Sequence, residues 1–124
     1  MTSEIIAVDS LVAVMWTDLD PSAGGSVFHV TTAEQLVVTW RDVPFFASNR
    51  SAVGESRGST FQAVLHEGGE MVLQYNFIER DTQHRMWHST PSVGFENHDG
   101  SKGVQVAYGW DQAPADGSAF IIRA

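Results

Sequence analysis

Residues 60–77, TFQAVLHEGGEMVLQYNF, constrain this chain more than any other stretch. Two runs of alternating apolar and polar residues flank a Gly-Gly pair, the pattern of an antiparallel hairpin. Side chains alternate between faces along a strand, so a slip of one residue exchanges the faces. A two-residue loop of Gly68 and Gly69 pairs Leu65 with Val72 and puts Gln74 and Asn76 on the face of Phe61 and Leu65. A three-residue loop, Glu67-Gly68-Gly69, pairs Leu65 with Met71, Ala63 with Leu73 and Phe61 with Tyr75. One face then holds Phe61, Ala63, Leu65, Met71, Leu73, Tyr75 and Phe77. The other holds Gln62, Val64, His66, Glu70, Val72, Gln74 and Asn76. Burial of one face selects the three-residue loop and predicts a left-handed Gly69.

The rest of the chain repeats this theme. Residues 4–8 form a short candidate strand. Residues 11–16, LVAVMW, are a continuous apolar run, which predicts a strand buried on both faces with Trp16 in the core. Residues 26–31 and 35–40 read as a second hairpin, with Trp40 in the core. Residues 42–58 lack a period and read as an extended loop around Pro44-Phe45-Phe46. Residues 92–95, 103–108 and 119–123 complete the series, and no segment has a sustained helical period. About nine short strands separated by turn residues predict an all-β fold. The expected architecture is a two-sheet antiparallel β-sandwich, jelly-roll-like, as a single domain over residues 1–124.

Composition narrows the function. The chain has 124 residues, 43% hydrophobic and 18% charged, which is globular rather than disordered. Its net charge of −8 argues against nucleic acid and anionic lipid as partners. No apolar run is long enough to cross a membrane as a helix. The first residues, MTSE, do not resemble a signal peptide, so an exported form implies a mature or excised segment. The absence of cysteine excludes disulfides, thiolate metal sites and cysteine nucleophiles.

No catalytic constellation stands out. There is no HExxH and no G-x-S-x-G. His84 and His88 are four apart, but their surroundings are not helical and no third ligand is near in sequence. Candidate oxygen ligands for a hard cation sit in turns: Asp18 and Asp20 after the apolar run, and Asn97 and Asp99 in a later turn. Calcium is the one cofactor they would suit, although the same residue types also make turns. Trp87, in a polar stretch, and Trp110, at a strand end, are candidates to stack on a sugar or anchor a partner. Phe45 and Phe46 are further partner-contact candidates.

Several motifs occur in order along nearly the whole chain. They are Val14-Met15-Trp16-Thr17-Asp18-Leu19-Asp20-Pro21, Gly24-Gly25-Ser26-Val27-Phe28, and Val37-Val38-Thr39-Trp40 with Val43-Pro44. Thr60-Phe61-Gln62-Ala63-Val64-Leu65, Val93-Gly94-Phe95-Glu96-Asn97 with Asp99-Gly100, and Ala119-Phe120-Ile121-Ile122 follow. Together they resemble the β-sandwich module of large secreted bacterial proteins, often beside subtilisin-like proteases, similar to the NIDO domain of nidogen-type matrix proteins. The resemblance implies an extracellular or cell-surface, non-catalytic module of a larger protein or fibre. It implies a protein partner or self-association, and carries over no catalytic residue. The alternative is a module that binds a carbohydrate or small ligand with loop carboxylates and an exposed tryptophan.

Overall fold

The computed structural model describes residues 10–46, 57–80 and 90–123. Among these residues there are eight strands and no helix. They are β1 (Val12–Trp16), β2 (Ser26–Thr31), β3 (Gln35–Val43), β4 (Ser59–His66), β5 (Met71–Phe77), β6 (Ser92–Glu96), β7 (Gly103–Tyr108) and β8 (Ser118–Ile122). Two antiparallel sheets result, ordered β1-β6-β7 and β2-β3-β4-β5-β8. The strand expected at residues 4–8 lies outside the described residues.

The hairpin β4–β5 has the register expected from its alternation: Leu65 faces Met71, Ala63 faces Leu73 and Phe61 faces Tyr75. His66 N donates to Glu70 O at 2.9 Å and Gly69 N donates to His66 O at 2.9 Å. Gly69 has φ 93°, in the left-handed region that suits glycine. Phe61, Ala63, Leu73 and Tyr75 are buried, and they form one core with Val14, Met15, Ile78, Val93 and Ala107. Full burial of one such large apolar side chain contributes about 1.5–3 kcal/mol.

The far end of the hairpin departs from the simple pattern. A bulge between Thr60 and Phe61 pairs Thr60 with Phe77. An inserted residue re-aims the side chains beyond it. Ile78, not Phe77, therefore joins the core, and the Phe77 ring lies 4.1 Å from the Arg57 guanidinium.

The same device corrects the reading of LVAVMW. The β1–β6 register breaks between Ala13 and Trp16. Val14 and Met15, adjacent in sequence, are both buried, and Trp16 is 56% exposed. A continuous apolar run here reflects a bulge rather than a strand covered on both faces. Trp40 does pack on the core, stacked on Phe61 with ring centroids 5.0 Å apart.

β3 extends beyond the expected residue 40, to Val43, through a third bulge. Asp42 there has φ 53°. Its backbone lies against Gly25 and Gly58, where an added Cβ would sit 2.3 Å from the Asp42 carbonyl oxygen. Thr60 secures the corner. Its hydroxyl accepts from Asp42 N at 3.0 Å and donates to Asp42 Oδ1 at 3.1 Å.

Tyr75 ties the two sheets together. Its hydroxyl donates to the carbonyl of Val14 at 2.6 Å. Burial disfavours the phenolate and pushes this phenol well above its ordinary titration range.

Candidate contact surface

The core takes buried residues from β1, β4, β5, β6 and β7, but none from β2. β2 forms one edge of the five-stranded sheet, and five of its six residues are exposed. Val27 is 44% exposed, Phe28 40% and Val30 56%. Three of the eight large exposed hydrophobic residues, among those described, fall in these six positions. Val27 shares a face with Trp40, and Phe28 and Val30 share the opposite face with Thr39 and Val37. The Arg41 guanidinium lies 5.4 Å from the Phe28 ring centroid.

The outer face of the five-stranded sheet carries a continuous aliphatic row. Val30 faces Val37, Val37 faces Val64, Val64 faces Val72 and Val72 faces Ile121. Both ends of the row, Val30 and Ile121, are 56% exposed. The adjacent row is polar at its centre. Thr39 Oγ1 donates to Gln62 Oε1 at 3.2 Å, and Gln62 Nε2 donates to Gln74 Oε1. The hairpin's alternation alone showed Val64 and Val72 scattered among polar residues. Only the five-strand register lines them up.

The other sheet presents a shallow groove of about 390 Å³ on its outer face. Trp16, Gly94, Gln105 and Glu96 are among its lining residues. Trp16 faces Ser92, which faces Tyr108, so two exposed aromatic rings flank a serine in one cross-strand row.

The residues singled out from the sequence distribute differently. Phe45 moves from the surface to the core. It is buried and meets Trp110 edge-on at 5.7 Å, because Leu19 and Phe45 form an isolated bridge that draws its segment inward. Trp110 is half-buried and packs on the core. Phe46 remains exposed, with its backbone N donating to Asp18 O at 2.8 Å. Trp87, His84 and His88 lie outside the described residues.

The side chains of Asp20, Asn97 and Asp99 bond within their own turns. Asp20 Oδ1 accepts from Ser22 N at 3.0 Å and from Ser22 Oγ. Asn97 Oδ1 accepts from Lys102 N at 3.0 Å. Asp99 Oδ1 accepts from Ser101 N at 3.0 Å, and these Ser101 bonds hold its carboxyl below the ordinary range. Among the described residues, no group of three or more His, Asp or Glu side chains is placed to hold a metal ion. No helix among them is long and apolar enough to cross a membrane.

Sequence reasoning missed β2 as a surface. The available signal was its composition: SVFHVT is apolar at both parities and has no charged residue. A strand buried on one face only would alternate.

The described residues form an open-edged two-sheet antiparallel β-sandwich. The model of the nidogen-like domain matches residues 29–122, and the chain belongs to that family. The family is one of non-enzymatic modules that occur in extracellular proteins and mediate protein interactions. Comparison with curated proteins and with solved structures finds no match.

Proposed function

We propose that this chain is a non-catalytic interaction module of a larger extracellular or cell-surface protein, and that it acts by contact along β2. The observation that carries this reading is the edge strand β2, which exposes Val27 on one face and Phe28 and Val30 on the other and has no further strand on its outer side among the described residues. Open strand edges accept a further strand through main-chain hydrogen bonds, and neighbouring side-chain pockets supply selectivity. Phe46 is a further anchor candidate, being large, apolar and exposed. The family supports the extracellular setting and the absence of catalysis.

The test is a charge placed on the edge. Val30→Lys in the protein that carries this module should weaken its attachment to its partner at least about tenfold, since a desolvated lysine is costly at a buried contact. The isolated module, at a dilution where it is monomeric, should keep its melting temperature. Turnover of a defined substrate, lost on replacing one polar residue, would contradict the reading.

The groove on the other sheet favours a second reading, a neutral carbohydrate stacked on Trp16, with Tyr108 in the same cross-strand row. Pyranose rings present apolar faces to aromatic side chains and hydroxyls to groups such as Ser92, Gln105 and Glu96. A glycan array with Trp16→Ala as the control separates the two readings.

A further inference from the structure

We infer that β2 pairs with β2 of a second copy of this chain, in an antiparallel register centred on His29. The inference rests on the reading of the chain as a contact module, and names the partner.

The four sheet edges are not alike. Exposed strand edges invite pairing, and proteins blunt them with bulges, prolines or charges. In the three-stranded sheet, β1 contains a register break at Ala13–Trp16, and the β6–β7 pairing breaks at Val93–Gly94. β8 runs into Arg123, an exposed side chain 3.5 Å from the Glu70 carboxylate. β2 has no break, proline or charge of its own, although Arg41 of β3 lies over Phe28. Its six residues pair with β3 without a break, and SVFHVT contains no proline, lysine, arginine, aspartate or glutamate. In a chain of net charge −8, β2 carries no carboxylate and the charge beside it is the Arg41 guanidinium over Phe28, so two copies can approach here without carboxylate repulsion.

The backbone fixes which groups are free. Thr32 N donates to Gln35 O at 2.9 Å, closing the turn between β2 and β3. Hydrogen-bonding direction alternates along an antiparallel strand. Val30, Phe28 and Ser26 therefore bond towards β3, and Thr31, His29 and Val27 point their N–H and C=O groups away from it. β2 is the terminal strand of its sheet, so these outward groups meet no other strand among the described residues.

Three outward residues at alternate positions suit an antiparallel copy centred on the middle one. His29 then faces His29 of the other copy, and Val27 faces Thr31. On the outer face, Val30 of each copy faces Phe28 of the other. Aromatic and β-branched residues directly opposite each other are favourable cross-strand pairs. The contact is isologous and closes as a dimer, which fits the commonest symmetry of homo-oligomers. It would join two five-stranded sheets into one of ten strands.

Sedimentation equilibrium of the isolated chain tests this directly. The expected result is a reversible monomer–dimer equilibrium. Val30→Lys should weaken it at least about tenfold, with unchanged circular dichroism. Ile121→Lys, equally exposed at the opposite edge, should leave it intact. The chain has no cysteine, so His29→Cys can form only an intermolecular disulfide. Directly opposed hydrogen-bonded residues have Cα atoms about 5.5 Å apart, inside the range that a disulfide spans. Mild oxidation should therefore yield a covalent dimer. A monomer at every concentration would overturn self-pairing and leave the contact reading to the partner test of Val30→Lys. A dimer lost with Ile121→Lys but not Val30→Lys would overturn it too, as would a dimer that resists cross-linking at position 29.

Discussion

The hairpin β4–β5 and the edge strand β2 belong to one sheet, and both are rich in apolar residues. In the hairpin, Phe61, Leu73 and Tyr75 are buried beneath the three-stranded sheet. In β2, Val27, Phe28 and Val30 stay in contact with solvent. The difference is coverage. Packing against the core reaches Trp40 of β3 and Phe120 and Ile122 of β8, but no residue of β2. Apolar residues under cover stabilise the fold, and apolar residues beyond it are available for association.

Substitutions can test that division, beginning with the covered hairpin. Phe61→Ala removes a ring stacked on both Trp40 and Tyr75. Loss of a buried phenylalanine costs about 3–5 kcal/mol, and urea unfolding should show a shift of that size. A loss below about 1 kcal/mol would mean that the core does not centre on the hairpin.

Tyr75→Phe should cost less, about 1–3 kcal/mol, by leaving the Val14 carbonyl without its donor. The phenol also has a signature in alkali. Its folded-state pKa is raised, so its contribution is complete below the unfolded phenol's titration. Above pH about 10 the unfolded chain loses this proton first, and stability falls as pH rises. Tyr75→Phe should lack that part of the alkaline decline. Equal slopes for both proteins would show that Tyr75 is not held neutral by burial.

Gly69→Val should cost more than about 1 kcal/mol, because a β-branched residue fits the left-handed region badly. An unchanged urea midpoint would count against the loop conformation that sets the register. At the small end, Phe28→Ala on β2 should change the stability of the monomer, measured at high dilution, by no more than about 0.5 kcal/mol. A large loss there would erase the distinction between the two regions.

Much of this was legible in the sequence because β structure has a strict period. The β4–β5 register followed from the requirement that Phe61, Leu73 and Tyr75 share a face. Bulges broke the inference where they broke the period. Trp16 and Phe77 each lie beside a register shift, and each ended on a different side from the one alternation assigns. Phe45 was misplaced for another reason: its burial depends on a bridge to Leu19, distant in sequence. The contact surface was the least legible part. Whether an apolar strand is covered depends on how far the second sheet extends, and the broken alternation of SVFHVT is only a faint local trace of that.

Amide hydrogen exchange of the isolated, dilute chain, compared with the same module in its assembled state, tests the central claim most directly. The outward amides of Val27, His29 and Thr31 should exchange freely in isolation and become protected on assembly. The amides of β4 and β5 should be protected in both states. Outward β2 amides that exchange equally fast in the assembled state would contradict the account.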